Sequence, residues 1–146
     1  MRLLTAMPML LLMSALSTVL QAAGQKTDDK DEERIVGTWV MASAEKQGKN
    51  EPVDYTFRLT FTAEGKFTIK QKGPDAEISG KYKLNTGTKL KEIDLIVQGK
   101  SFLGIYAFAE GDLKLCLGEI EKSRPTDFVA PKGTKTILTV LKRGKK

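Results

Sequence analysis

Ile35-Val36-Gly37-Thr38-Trp39-Val40 is where the character of the chain changes. Upstream, Gln25 to Arg34 is almost wholly charged or polar. Downstream, apolar and polar residues alternate with the two-residue period of strands that bury one face. The stretch also holds the only tryptophan of the 146 residues. A large ring at the start of the first strand is a natural anchor for whatever core the later strands build.

Reading outward from Trp39, the pattern predicts eight strands, over residues 37–45, 55–62, 67–70, 78–84, 93–97, 101–109, 113–117 and 134–143. The second is the cleanest: Tyr55, Phe57, Leu59 and Phe61 alternate with Thr56, Arg58, Thr60 and Thr62. The strand over 101–109 is apolar on both faces and is expected to be the most buried. Short turns bearing glycine join most of them, at Gly48, Gly65, Gly73, Gly99 and Gly111. Successive short-turn strands make an antiparallel meander, and eight such strands lose their edges by closing into a barrel. The fold class read from the chain is therefore all-β, an eight-stranded antiparallel up-and-down barrel. A short N-terminal helical turn precedes it, and a two-sheet sandwich is the alternative. The expected interior is bulky: Trp39, Phe57, Leu59, Phe67, Ile69, Ile78, Tyr82, Ile93, Leu95, Leu103, Ile105, Leu113, Leu115, Leu138 and Val140. Such a set favours a shallow pocket or none over a deep cup.

Residues 1–23 read as a signal peptide. Arg2 gives the positive start, Leu3 to Leu20 carries no charge, and Gln21-Ala22-Ala23-Gly24 offers small residues for cleavage. Pro8 within the run favours cleavage over an uncleaved anchor. Residues 24–34 form a charged leader with a short helix, and 35–146 the barrel domain. The expected address is the periplasm or beyond, with no membrane span after cleavage. The net charge is +6, mildly basic, and the terminal Lys142, Arg143, Lys145, Lys146 cluster reads as a solvated tail. Nucleic acid is not the expected partner.

The composition excludes much chemistry. There is no histidine and one cysteine, Cys116. Serine–histidine and cysteine–histidine pairs, histidine-bearing zinc sites and an intrachain disulfide are all ruled out. No pair of carboxylates has a reason to be buried. We therefore expect no catalytic residues, metal or cofactor. Cys116 lies out of phase with Leu113, Leu115 and Leu117, so it faces out or packs under a neighbouring element.

Gly37-x-Trp39 at the start of the first strand resembles the lipocalin signature. That resemblance implies that Gly37 and Trp39 plug the closed end of the barrel, with a basic residue of the last strand over the indole. Arg143 stands in that position, with Lys142 as the fallback. The second and third lipocalin motifs are absent as such. Six stretches in order are similar to a family of exported, uncharacterised planctomycete proteins: Ile35 to Trp39, Leu90 to Leu95, Leu103 to Tyr106, Leu113 to Cys116, Arg124-Pro125-Thr126-Asp127-Phe128 and Leu141-Lys142-Arg143. That family carries no assigned activity.

Four residues are candidates for ligand contact: Tyr55, Tyr82 and Tyr106 by their hydroxyls, and Arg124 as a rim cation for an anionic group. The competing reading makes the tyrosines core residues and Arg124 part of a local turn with Asp127. Two functions remain in view. The favoured one is an exported non-enzymatic module binding a small apolar or amphipathic ligand at the open end of the barrel. The alternative is a structural domain of the cell envelope with a filled core, meeting a protein partner through its surface.

Overall fold

The computed structural model describes residues 29–73 and 77–145. The signal-peptide reading of residues 1–23 and the first part of the leader lie outside the described residues. A helix, α1 (Asp29–Ile35), precedes nine strands. They are β1 (Gly37–Lys46), β2 (Lys49–Glu51), β3 (Arg58–Phe61), β4 (Lys66–Lys70), β5 (Glu77–Asn85), β6 (Glu92–Val97), β7 (Lys100–Ala109), β8 (Asp112–Ile120) and β9 (Ile137–Arg143). β1 pairs with β3 on one side and β9 on the other, so eight strands close into an antiparallel up-and-down barrel of the lipocalin-like kind. The ninth, β2, is a short flap paired only with Ala44 to Lys46 of β1. The sequence pattern read that segment as a turn, because three exposed polar residues show no alternation of character.

Three hairpins explain how so many strands fit in so short a chain. Gln47-Gly48, Gln98-Gly99 and Glu110-Gly111 each place two consecutive residues at positive φ. That is the backbone of the two-residue turn whose twist matches paired strands. With these turns the chain alternates between two ends. The end holding α1 is closed, and the end holding β2 is open.

The closed end is built on Trp39, which is 1% exposed. Its indole N–H donates to the Ile35 carbonyl at 2.8 Å, fixing α1 beneath the barrel. Ile35, Leu59, Phe61, Phe67, Ile93, Tyr106, Leu113 and Leu141 surround it as a continuous core. Trp39 and Arg143 are directly paired across β1 and β9, and the guanidinium carbon sits 3.9 Å from the ring centroid. Arg143 also donates to the Val36 carbonyl at 2.7 Å and to the Arg34 carbonyl. Glycine suits position 37 on two counts. Its φ of +125° is one that residues with a side chain rarely adopt, and a Cβ there would lie 2.8 Å from Arg143 Nη1 and push the guanidinium from its place.

Two strands turn the other way from the pattern expected. β7 points Phe102, Tyr106 and Phe108 inward, toward the main core. Ile105 lies instead in a second cluster with Cys116, Leu138, Ala130, Leu90 and Phe128. In β9, Thr139 and Leu141 face the interior and Leu138 the outside. Leu103, Ile105, Leu138 and Val140 are therefore corrected from interior to exterior positions. The cause is the segment between β8 and β9, which lies over the outer faces of β7, β8 and β9 and gives them a second apolar layer. A strand apolar on both faces has no phase to read.

The Trp39→Ala variant is expected to lose about 3–5 kcal/mol of unfolding free energy, the usual loss for a buried aromatic. Arg143→Ala should lose about 0.5–2 kcal/mol, the range of a cation over an indole. Urea titrations of both variants check the order.

Candidate functional site

The open half of the barrel is hollow. A cavity of about 640 Å³ opens between the strands at the end opposite α1. Its floor is Leu59, Phe67, Leu95, Leu115 and Leu141, the upper surface of the packed core. Its walls are Met41, Ala44, Phe57, Ile69, Val97, Phe102, Leu117 and Thr139. Polar side chains gather at the mouth: Lys46, Glu51, Asp54, Gln71, Glu119, Lys122 and Lys135. An apolar chamber with a polar rim in the range of about 300–1,000 Å³ is the form of a small-molecule pocket.

The interior is thus half filled, where the bulky set read from sequence favoured little or no pocket. Part of the reason is the reversed phase of β7 and β9, which removes Leu103, Ile105, Leu138 and Val140 from the interior. A bulge in β1 between Met41 and Ser43 is another part. It shifts the inward phase by one residue, so the small Ala44 faces the chamber. Neither the bulge nor Thr139 leaves a signal in the alternation, and these wall positions escaped the sequence reading. At the lip, Ile78 and Ile120 are 40% and 42% exposed, large apolar side chains left at the entrance.

The mouth charges are partly satisfied. Glu119 accepts from Lys122 Nζ at 2.6 Å and from the Lys135 backbone N–H at 2.8 Å. The Lys122 bond first, then the Lys135 amide, holds its carboxyl below the usual range. Asp54 accepts from the Thr56 hydroxyl at 2.6 Å and its N–H at 2.8 Å, and these bonds lower its pKa likewise. Both acids stay ionised at the entrance.

None of the four candidate ligand residues lines this cavity. Tyr55 is not on a strand at all. It sits in the connection between β2 and β3, 82% exposed. Tyr82 lies at the closed end, donating to the Thr62 carbonyl at 2.8 Å and meeting Phe61 edge to face. Burial, with Glu32 and Glu64 nearby, pushes its pKa up. Tyr106 donates to the Asp31 carboxylate at 2.9 Å beneath the barrel. Asp31 is itself buried and paired with Lys91 at 2.7 Å, so a charge network latches α1 to the loop before β6. The leader composition gave no hint that one of its many acids would be the buried one.

Arg124 lies on the outside of the wall. Its Nη1 donates to the Gly104 carbonyl at 2.8 Å and the Ile93 carbonyl at 3.3 Å. Nη1 also stands 2.7 Å from Asp94 Oδ1, and Nε stands 3.6 Å from Glu92. The Nη1 hydrogens are aimed at the carbonyls, so the Asp94 contact is one of charge and Oδ1 accepts no aligned hydrogen bond. Arg124 clamps the β8–β9 segment to β6 and β7. Asp127 is not its partner, and accepts from the Phe128 N–H instead.

Cys116 is buried beneath the same segment, its Sγ 3.5 Å from the Val129 carbonyl and 3.6 Å from that of Asp127. Among the described residues no group of three or more metal-capable side chains occurs. Nor is any described helix long and apolar enough to cross a membrane.

No protein-family model matches this chain, and no curated protein matches it. The class defined by structure is the closed, lipocalin-like barrel with one hollow end.

Burial, above all, raises the Cys116 thiol above its ordinary value of 9.0. A raised acid favours the fold below the unfolded value, and that contribution disappears as pH climbs through the folded one. Between about pH 8 and about pH 10 the wild type should lose more stability than Cys116→Ala. Urea midpoints across that range read the difference. Iodoacetamide should leave the native thiol unmodified at about pH 8 and react once urea unfolds the chain.

Proposed function

We propose that the protein is a non-enzymatic binding module that takes a small apolar or amphipathic molecule into the open half of its barrel. The cavity of about 640 Å³ carries this reading. Its floor and walls are hydrocarbon and aromatic, and an apolar body placed there is removed from water at about 25 cal/mol per Å². Its charged groups stand at the mouth, where a polar head would remain solvated. In this reading residues 1–23 are an export signal, and the protein works in the periplasm or beyond. The same reading would group it with the exported planctomycete proteins that its sequence resembles.

The alternative role, an interaction domain with a solid core, draws less support from a barrel whose upper half is empty. A surface role for the outside of the same barrel remains compatible with a ligand within it.

The test is to fill the chamber. Ala44 is 6% exposed and lines the wall. Ala44→Phe is expected to weaken binding of a neutral naphthylamine fluorophore and of hexadecanoate by roughly tenfold or more, since the added ring takes the space the probe needs. Circular dichroism should show the fold retained. Wild type that binds neither probe, or a variant that binds both unchanged, would overturn the reading.

A further inference from the structure

The outer face of β3, β4 and β5 carries a charge pattern that the barrel itself does not explain. These strands hold five cations, Arg58, Lys66, Lys70, Lys81 and Lys83, against one acid, Glu77. Phe67 and Ile69 line the interior, so alternation turns Lys66, Thr68 and Lys70 outward. Register then sets like charges directly opposite each other twice: Arg58 against Lys70, and Lys66 against Lys81. Directly opposed like charges destabilise a sheet. Lys70 has Glu77 at 3.8 Å and Lys83 stands in register opposite Asp94 of β6, while among the described residues Arg58, Lys66 and Lys81 form no ion pair. Arg58 directs Nη1 to the carbonyls of Tyr55 and Phe57, which anchors its guanidinium at the open-end side of the patch.

Between the two cationic pairs runs a row of hydroxyls in exact register across four strands. Thr38 pairs with Thr60, Thr60 with Thr68, and Thr68 with Ser79. Thr38 and Thr60 share a hydrogen bond of 3.0 Å. The aromatic rings of these strands, Phe61, Phe67 and Tyr82, belong to the interior. The outer positions of β3, β4 and β5 therefore present hydroxyls and cations, with Glu77 and Asn85 at the margin. An exposed ring, Tyr55, lies beside Arg58. These strands nevertheless carry no outward series of rings to stack successive bases and no outward apolar side chain to enter a membrane.

We propose that this face binds an acidic polysaccharide. Carboxylate or sulfate groups would meet the lysine pairs, and sugar hydroxyls the Thr38-Thr60-Thr68-Ser79 row. A polyanion converts the opposed like charges from a liability of the free protein into the attractive element of the complex. Neutral sugars would gain only the hydroxyl row, and small anions only one charge. The site lies on the opposite side of the wall from the cavity and does not depend on its ligand.

The experiment follows from that conversion. Lys66→Glu places an opposite charge across from Lys81, so it should raise the thermal midpoint while weakening binding. The protein is titrated with polygalacturonate, dextran sulfate and neutral dextran, the first two separating carboxylate from sulfate recognition. The expected result is binding to at least one acidic polymer, none to neutral dextran, and a loss of roughly tenfold for Lys66→Glu. Lys132→Glu, an equal change of net charge in the β8–β9 segment, should stay within about twofold. Thr60→Val with Thr68→Val should weaken acidic-polymer binding by severalfold at unchanged charge. Failure to bind either acidic polymer would overturn the proposal. So would an equal loss in Lys132→Glu, or equally tight binding of duplex DNA or phosphatidylglycerol vesicles.

Discussion

The contact between Arg143 and Trp39 is the one on which the rest of the molecule depends. An eight-stranded meander has two open edges until its first and last strands meet, and open edges invite pairing with other chains. Trp39 stands near the start of β1 and Arg143 at the end of β9, so their stacking marks the register at which the sheet closes. The same guanidinium donates to carbonyls at the end of α1, which binds the helix to the closing seam. Register matters more here than energy. A one-residue slip would turn every side chain of β9 to the other face. It would bring Leu138 inside and strip the second apolar cluster of its base.

That second cluster explains how a chain this short has both a solid floor and an empty chamber. Ile105, Cys116 and Leu138 are buried outside the barrel, under Phe128 and Ala130. Their burial stabilises the wall without taking interior space. The β8–β9 segment that covers them is itself pinned at several points. Arg124 grips β6 and β7, and the Gln47 side chain bonds Gly133 and Thr134 from the β1–β2 hairpin. A barrel relying on its interior alone would be driven to fill it. Moving part of the apolar contact outside relieves that pressure, and the open half stays hollow.

Much of the architecture was legible because it rests on local periodicity. The strands over 55–62, 67–70 and 78–84 alternate cleanly, and the X-Gly turns of the hairpins admit few other conformations. The closed end was legible because Gly37 and Trp39 sit at the break in character and Arg143 at the far end of the pattern. What escaped was everything set by phase rather than period. β7 is apolar on both faces, so Leu103 and Ile105 were read inward when the strand turns Phe102, Tyr106 and Phe108 in. The bulge in β1 shifts phase at a place where Ala42 and Ser43 give no contrast. Tyr55 continued the alternation of β3 beyond the point where the strand ends. Asp31 is one of five acids between Asp28 and Glu33, and only its proximity to Tyr106 and Lys91 distinguishes it. The chamber is hard to read from the chain for a different reason. Hydroxyl-bearing rings are the conspicuous candidates in the sequence, but Tyr82 and Tyr106 bond at the closed end, and the chamber is lined by residues with little chemistry of their own.

A strand's two-residue period gives each residue one side of the wall, and β3 to β5 use both sides fully. Leu59, Phe67 and Ile69 shape the chamber, while Arg58, Lys66, Thr68 and Lys70 shape the exterior. The backbone between them is shared, yet the two surfaces do not compete for it. An outward side chain can change charge without altering the volume within, and an inward one can change volume without altering the charge outside. The exterior of these strands is free of the packing constraint that fixes their interior. Its opposed cations therefore have no origin in the fold's own stability, which would be better served by alternating signs. A pattern the fold would not choose, on a face the fold leaves unconstrained, is where an external partner's chemistry is most directly legible.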